Sequence, residues 1–293
     1  MTETGPDLAP RKDHKQENFP VASFILKPAH RWVIMAFYRF ARTADDISDH
    51  PTLGPQEKLA ALETMRATLA GESDADAAAL GLRQAQQDRG LDAQHGLDLL
   101  RAFRQDVTKT RYADWGELMD YCRYSAMPVG RFVLDVHGED PASWPANDAL
   151  CAALQLINHL QDCGKDLHEL NRSYLSQDLL TAAGAAVQDA AAPCASPALR
   201  SVIVEMARRT QALLDRSRPL ARRIRDGRLA YEVALIQRLA EGLTARLIAH
   251  DPLSERVHHR PIEVVGLAIR AGLDQIAGRR SGTAKVALAG GAE

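Results

Sequence analysis

The feature that most constrains the fold is a near absence of strand-forming sequence across 293 residues. Aromatic residues make up only 5% of the chain, and no clear run of alternating β-branched residues occurs. Alanine, leucine, arginine, glutamine and glutamate are abundant, and these residues favour helices. The pattern therefore predicts a single all-α domain, with helices too many and too long for a simple four-helix bundle.

Apolar residues at helical spacing assign most of the chain to helices. The predicted helices lie near 29–49, 55–70, 74–88, 94–107, 114–137, 145–167, 198–225, 229–248 and 261–277. Residues 181–197 are alanine-rich and hold two prolines, so we expect a loop or a weak helix there. We also expect a polar N-terminal segment over 1–16, a domain over 17–278 and a small-residue-rich tail over 279–293.

Composition and charge argue against several classes of protein. The formal net charge is −2, so the chain lacks the global basic field of a nucleic-acid-binding protein. No apolar run approaches the roughly 18 residues of a membrane span, and the polar N-terminus does not resemble a secretory signal. The four cysteines are scattered without a CxxC pair, which favours reduced thiols in a cytoplasmic protein over a zinc site.

Three aspartates follow the apolar stretch RWVIMAFYRFA, within the sequence ARTADDISD at 41–49. Asp45 and Asp49 are spaced i,i+4, so they share a helix face and repel each other. Pro51 marks the nearby helix end, where the macrodipole disfavours anions. Asp46 points about 100° away from that face and is expected to pair with a basic neighbour. Local physics disfavours this cluster, so we expect another group to offset the repulsion.

A second acidic cluster matches the first, in the sequence NHLQDCGKD at 158–166. Asn158, Asp162 and Asp166 would form one stripe on the predicted helix, and His159 is expected to face away from it. The flanking sequence is apolar, and carboxylates are seldom buried without partners. One pair of this kind is most simply a solvated helix face, whereas two matching pairs beside apolar helices favour a shared site.

Two acidic stripes that face each other across a cavity would suit Mg²⁺. This ion binds oxygen ligands and is often shared between carboxylates and substrate phosphates. It would neutralise the charge on a departing diphosphate. The all-α scaffold, the two stripes and the apolar interior together predict isoprenoid diphosphate chemistry. A ferritin-like di-iron site would need Glu-x-x-His pairs on facing helices, and the sequence has no matched set.

The order of several motifs resembles the squalene/phytoene synthase family of isoprenyl diphosphate synthases. The motifs are NFPVAS, then ILKPAHRWVIMAFYRFARTADDISD, then YCRYSAMPVGRFVL, then LQLINHLQDCGKDLHELNRSYLSQDLL. They extend over roughly residues 17–250. ENFPVAS and SAMPVGR are most similar to the bacterial branch of the hopanoid and squalene pathway that acts on presqualene diphosphate. The resemblance implies the isoprenoid synthase fold, with helices around a central apolar cavity.

The resemblance also implies roles for individual residues of this chain. It assigns Mg²⁺ to Asp45, Asp49, Asp162 and Asp166, substrate binding to Asn18, Phe19, Arg42, Arg172 and Tyr174, and catalysis to Tyr121, Tyr124 and Asn158. The two catalytic tyrosines would face the reacting carbons. Without the resemblance, both would be assigned to the core of the predicted helix at 114–137.

Three positions depart from the pattern of the enzymes that condense two prenyl diphosphates. Ser48 stands where those enzymes often have a carboxylate, Gln161 where an arginine is common, and Lys165 where a glutamate is frequent. We therefore expect an enzyme that receives one preformed diphosphate. The chain also lacks a glycine-rich dinucleotide motif, so no NADPH is expected.

The reaction implied by the resemblance is ionisation of presqualene diphosphate, rearrangement of the cation and capture of water to give hydroxysqualene. The main alternative is a squalene or phytoene synthase that joins two prenyl diphosphates. A distant alternative is a non-catalytic assembly protein of the same fold, which would have lost its aspartate motifs. The expected partners are a prenyl diphosphate, the neighbouring enzymes of squalene synthesis and the inner membrane surface as a peripheral contact, with no nucleic acid.

Overall fold

The computed structural model describes residues 27–259, 263–264, 266–268 and 271. Within these residues the chain forms helices and no β-strand, which confirms the all-α prediction. The α-helices are α1 (Pro28–Ser48), α2 (Pro55–Leu69), α3 (Ala77–Gln87), α4 (Gln94–Thr108), α5 (Trp115–Ser125), α6 (Met127–Val136), α7 (Trp144–Gln161), α8 (Cys163–Leu170), α9 (Gln177–Ala183), α10 (Pro197–Ser217), α11 (Leu220–Arg223) and α12 (Gly227–Ala249). The predicted segments 1–16 and 279–293, the residues Asn18 and Phe19, and most of the predicted helix 261–277 lie outside the described residues.

Helix α1 is amphipathic, and its buried face explains its position. Val33, Phe37, Phe40, Ala44 and Ile47 recur every three to four residues and are almost fully buried. This spacing keeps them on one side of a 3.6-residue turn. The helix packs this side against α3, α4 and α6.

Helix α7 lies at the centre of the bundle. It packs against α5, α6, α10 and α12, so apolar residues are needed around most of its circumference. Its buried side chains include Ala152, Ala153, Leu156 and Leu160. The apolar sequence before the second acidic cluster is therefore a consequence of this central position.

Three predicted helices are interrupted in the structure. Predicted helix 114–137 divides at Ala126, which leaves the helical region at φ −125° and ψ −46°, one residue before Met127–Pro128 begin α6. Predicted helix 198–225 ends at Ser217, just before Pro219. Predicted helix 145–167 divides at Asp162.

The alanine-rich stretch 181–197 was expected to be a loop or a weak helix. It contains the end of α9, a short 3₁₀-helix, Val187–Ala191, and the first residue of α10, joined by irregular segments, which agrees with the expectation of a loop or weak helix. The four cysteines are free thiols. Among the described residues, no helix is long and apolar enough to cross a membrane.

Candidate active site

An elongated cavity of about 550 Å³ collects most of the predicted site residues. Helix α1 lines it from Ile34 to Asp49, a length of about 22 Å at 1.5 Å per residue. Mostly apolar side chains of α1, α6 and α12 line one end, with the buried carboxyl of Glu232 among them, and charged side chains lie at the end of α1 and α7. The predicted residues on its wall are Arg42, Asp45, Asp49, Tyr121, Asn158, Asp162, Asp166, Arg172 and Tyr174.

The first aspartate motif lies at the C-terminal end of α1. The guanidinium of Arg42 contacts Asp45 at 2.7 Å and Asp46 at 2.5 Å. The contact with Asp46 matches the expected pairing with a basic neighbour. Asp49 follows the last helical residue, and its backbone N–H donates to the carbonyl of Asp45. The i,i+4 register of Asp45 and Asp49 is thus kept up to the helix end.

The second aspartate motif spans a helix break. Asp162 lies between α7 and α8, with φ −100° and ψ 10°. The backbone N–H of Asp162 still donates to Asn158 at 2.9 Å, and that of Asp166 donates to Asp162 at 2.8 Å. The prediction of one continuous helix here is wrong, but the hydrogen bonds keep the three side chains one turn apart on the cavity wall.

A tight turn after α8 directs Arg172 into the site. Asn171 adopts the left-handed conformation, with φ 49°, which asparagine tolerates better than most residues. The buried guanidinium of Arg172 then contacts Asp49 Oδ1 at 3.0 Å and the carbonyl of Asp106 at 3.0 Å. It also donates to the hydroxyl of Tyr174 at 3.4 Å. Arg172 therefore connects the first motif to the chain that follows the second.

Asp106 is a site residue that the sequence analysis missed. It is only 6% exposed, and it lines the cavity beside Tyr121 and Tyr174. The hydroxyl of Tyr121 donates to Asp106 Oδ2 at 2.8 Å, and that of Tyr174 lies 3.4 Å from Oδ1. Burial raises the pKa of Asp106 to about 7, although Arg172 and the Tyr121 hydrogen bond oppose the increase. Its burial could have been predicted from its spacing, because Asp106 lies two helical turns after Leu99 and so on the same buried face of α4.

His159 lines the cavity, so the expectation that it faces away is wrong. Its ring stacks on Tyr174 with centroids 3.4 Å apart, and its Nδ1 lies 3.9 Å from Asp166 Oδ2. Burial lowers the pKa of His159. Through His159, Tyr174 and Arg172, the two aspartate motifs belong to one contact network.

Tyr124 lies away from the residues on the cavity wall. Its ring packs under the guanidinium of Arg101, with the carbon of the guanidinium 3.9 Å from the ring centroid. Two of the departure positions carry uncharged side chains that bond to backbone carbonyls. Ser48 is buried, donates to the carbonyl of Asp45 and lies 3.4 Å from Asp49 Oδ1, and Gln161 donates to the carbonyl of Val257. Neither side chain adds to the charge of the cavity.

The residues present fit divalent magnesium. Burial and the nearby carboxylate of Asp49 raise the pKa of Asp45 to about 7, which shows that carboxylate charge is unfavourable here and that a bound cation would stabilise it. Hard carboxylate oxygens are the donors that Mg²⁺ prefers. Among the described residues, no three of the four motif carboxylates come within 4.8 Å of one another. Mg²⁺ is commonly held by one or two carboxylates together with waters and substrate phosphates, so it would not require three of these carboxylates at one point.

Comparison with known families agrees with this geometry. The model of the squalene/phytoene synthase family matches residues 12–263. The chain belongs to the squalene/phytoene synthase family. It is therefore an enzyme of the isoprenoid synthase class.

Individual relatives of this family are similar over most of the chain. The chain is 52% identical to the hydroxysqualene synthase of Rhodopseudomonas palustris over 280 residues, 96% of each chain. It is 55% identical to the hydroxysqualene synthase of Zymomonas mobilis over 266 residues, 90% of each chain. Among solved structures, a squalene synthase from Alicyclobacillus acidocaldarius superposes with a TM-score of 0.69 at 34% identity, covering 78% of this chain and 86% of that one.

Proposed function

We propose that this enzyme converts presqualene diphosphate and water to hydroxysqualene and diphosphate. The observation that carries the proposal is the elongated cavity, in which arginines and aspartates cluster at one end and the side chains at the other are mostly apolar, Glu232 excepted. A diphosphate joined to long hydrocarbon chains has the same division. Identity above 50% to two hydroxysqualene synthases supports this reaction over the joining of two prenyl diphosphates.

The charged end would hold the diphosphate. Asp45, Asp49, Asp162 and Asp166 are the proposed Mg²⁺ ligands, and bound Mg²⁺ would supply the charge that neutralises the diphosphate as it leaves. Arg42 and Arg172 add fixed positive charge on both sides of the first motif. Both now contact aspartates, so a diphosphate oxygen can replace a carboxylate oxygen as the acceptor from each guanidinium.

The bond changes in this reaction require no electron donor. The carbon–oxygen bond to diphosphate breaks, and its electron pair leaves with the oxygen. After rearrangement of the cation, a water oxygen bonds to carbon, and the water's proton passes to the departing diphosphate. The products are an alcohol and diphosphate, so we propose that NADPH is not used.

Tyr121 is the tyrosine best placed to act near the cation. It lies on the cavity wall, and its hydroxyl donates a hydrogen bond to Asp106 that holds the phenol in one orientation. Its ring face can stabilise a cation, or its hydroxyl can position the water. Asn158 lies on the same wall, one turn before Asp162, where its amide can bind water or a phosphate oxygen.

We also propose that the enzyme works in the cytoplasm at the inner membrane surface. Its substrate and product are strongly apolar, and two large apolar side chains, Trp32 and Val129, are 46% and 40% exposed. Val129 also lines the cavity. Sedimentation with phosphatidylglycerol vesicles checks the membrane contact, and Trp32→Ala should weaken it.

The proposed reaction also implies neighbouring enzymes. An enzyme that joins two prenyl diphosphates must supply the substrate, and one that removes the hydroxyl must consume the product.

Product analysis tests the reaction directly. Purified protein, Mg²⁺ and presqualene diphosphate should give hydroxysqualene with or without NADPH, and ¹⁸O-labelled water should label its hydroxyl. Formation of squalene or phytoene from simpler prenyl diphosphates, with no hydroxysqualene, would contradict the proposal.

Asp162→Ala tests the metal assignment. We expect it to abolish turnover while the circular dichroism melting curve stays cooperative, because the side chain of Asp162 makes no cap hydrogen bond to either helix. Asp120→Asn is a matched control, since Asp120 is 70% exposed on α5. If Asp162→Ala retained turnover, the assignment of Asp162 as a Mg²⁺ ligand would be refuted.

A further inference from the structure

Three helix ends meet outside the cavity and bring two histidines and one aspartate together. His30 lies in the first turn of α1, His137 follows the last residue of α6, and Asp226 precedes α12. One potential ligand atom from each residue lies within 4.8 Å of the other two. The proposed reaction uses none of the three.

The ring of His137 is oriented as in a metal ligand. Its Nδ1 lies 2.9 Å from the carbonyl oxygen of Val133, so Nδ1 carries the proton and donates it there. The lone pair is then on Nε2. This atom is buried and has no hydrogen-bond partner among the described residues. Metal-binding histidines commonly donate their other ring N–H to a carbonyl in this manner.

Asp226 is held by the N-terminus of α12. Its Oδ1 accepts from the backbone N–H of Arg228 at 2.9 Å, which leaves Oδ2 directed away from the helix. The backbone N–H of Asp226 donates to the buried carboxylate of Glu139 at 2.8 Å. Oδ2 already contacts a cation, the ammonium of Lys27, at 2.8 Å. The carboxylate is thus fixed, and one of its oxygens faces positive charge.

His30 completes the set. Its ring lies beside that of His137, with centroids 4.3 Å apart, and its Nδ1 accepts from Arg89 at 3.0 Å. Arg89 also donates to the carbonyls of Ala29 and Val136, so it can give up the histidine and remain anchored. Burial lowers the pKa of both histidines.

We propose that His30, His137 and Asp226 form a binding site for a divalent transition-metal ion of the zinc type. Two imidazole nitrogens and one carboxylate oxygen are a donor set of zinc sites, with a fourth position for water. The ion would replace the ammonium of Lys27 on Asp226. It would join the starts of α1 and α12 to the end of α6. All three helices also supply the wall of the active-site cavity, so the ion would act by fixing their relative positions.

Zn²⁺ and Co²⁺ binding to the chelator-treated full chain tests the site, with excess Mg²⁺ present to occupy the aspartate motifs. Titration calorimetry should give one Zn²⁺ per chain, and Co²⁺ should give the visible absorption of a four-coordinate site. His137→Ala should lower Zn²⁺ affinity by at least about tenfold. Lys27→Ala should raise it, because the competing ammonium is removed. His250→Ala is the control, since that exposed ring pairs with the exposed Glu255.

Asp226→Ser provides a second variant in case His137→Ala does not fold. Serine remains a good helix N-cap while the anionic ligand is lost, so α12 should stay intact as Zn²⁺ affinity falls. Equal Zn²⁺ affinity in wild type, His137→Ala and Asp226→Ser would overturn the proposal. Absence of Zn²⁺ binding and of a Co²⁺ spectrum in wild type would also overturn it. Neither result depends on the reaction assigned to the cavity.

Discussion

The buried carboxyl of Asp106 should make the free energy of unfolding depend on pH. Burial raises its pKa from 3.8 to about 7 in the folded chain, and unfolding restores the ordinary value. Between these two pKa values the folded state binds more protons than the unfolded state, so stability falls as pH rises. A pKa difference of about three corresponds to about 4 kcal/mol, at 1.36 kcal/mol per pH unit. This penalty is absent below about pH 4 and complete above about pH 7.

Asp106→Asn removes this penalty while it keeps the size and one acceptor oxygen of the side chain. Relative to wild type, the variant should therefore be more stable at pH 8 than at pH 5, by up to about 3 kcal/mol. Asp45, whose pKa is also raised, contributes to both proteins and largely cancels in the difference. Turnover should fall, because Tyr121 loses a charged acceptor for its hydroxyl.

Urea unfolding in chelator at pH 5 and pH 8 measures the effect, with exposed Asp120→Asn as the control. If the stability difference between wild type and Asp106→Asn were the same at both pH values, Asp106 would not have the raised pKa. If the difference changed with pH while turnover stayed normal, the orienting role of Asp106 on Tyr121 would be refuted.

Packing, charge and ligand binding give three more expected outcomes. Gly130→Ala should lower the free energy of unfolding by about 1–3 kcal/mol, because its Cβ would lie 2.2 Å from Asn147 Oδ1. Gly81→Ala is the control in chemical denaturation, since its Cβ would meet no atom within 4 Å and should cause no loss of stability. Arg172→Lys should lower kcat by about 10²-fold, since one ammonium cannot reproduce the paired contacts of the guanidinium; steady-state kinetics checks this. Pyrophosphate with Mg²⁺ should raise the Tm, because at 100 times Kd a ligand increases the free energy of unfolding by about 2.7 kcal/mol. Asp162→Ala should abolish this rise in a thermal-shift assay.

Helix type and order could be predicted from the sequence because both depend on local spacing. The apolar face of α1 and the i,i+4 aspartates are visible in any short window. Two of the three helix interruptions also had a local sign, since Pro128 and Pro219 lie beside them. The interruption at Asp162 had no local sign in the sequence. Nearby, Gly164 lies so close to Leu253 that a Cβ on it would be 2.8 Å away, and that contact is distant in sequence.

The acidic part of the site could be predicted, whereas the groups that orient it could not. Asp106 and His159 contact residues that are distant in sequence. The position of a single carboxylate or histidine in a helix does not predict its tertiary contacts. Tyr121 and Tyr124 show the same limit. They lie three residues apart on α5, but only Tyr121 lines the cavity, while Tyr124 packs under Arg101.

The position of Ser48 and Gln161 changes how the departures from the condensing enzymes are understood. By sequence, both positions are predicted to alter the charge of the diphosphate site. In the structure Ser48 donates to the carbonyl of Asp45 and lies 3.4 Å from the carboxylate of Asp49, whereas Gln161 donates to the carbonyl of Val257. A carboxylate at position 48 is therefore expected to add negative charge beside Asp49, so Ser48 is the departure that bears directly on the diphosphate site.

The helix break at Asp162 divides the second motif between two helices. Asn158 belongs to the long central helix α7, which is packed on several sides, whereas Asp166 belongs to the eight-residue helix α8. A change of a few degrees at the backbone of Asp162 would swing Asp166 while Asn158 stays in place. If Asp166 binds the proposed Mg²⁺, such a movement would change the distance between this carboxylate and the diphosphate site without a change in the bundle core. Ligand binding should be visible as slower amide exchange in α8 and unchanged exchange in α7.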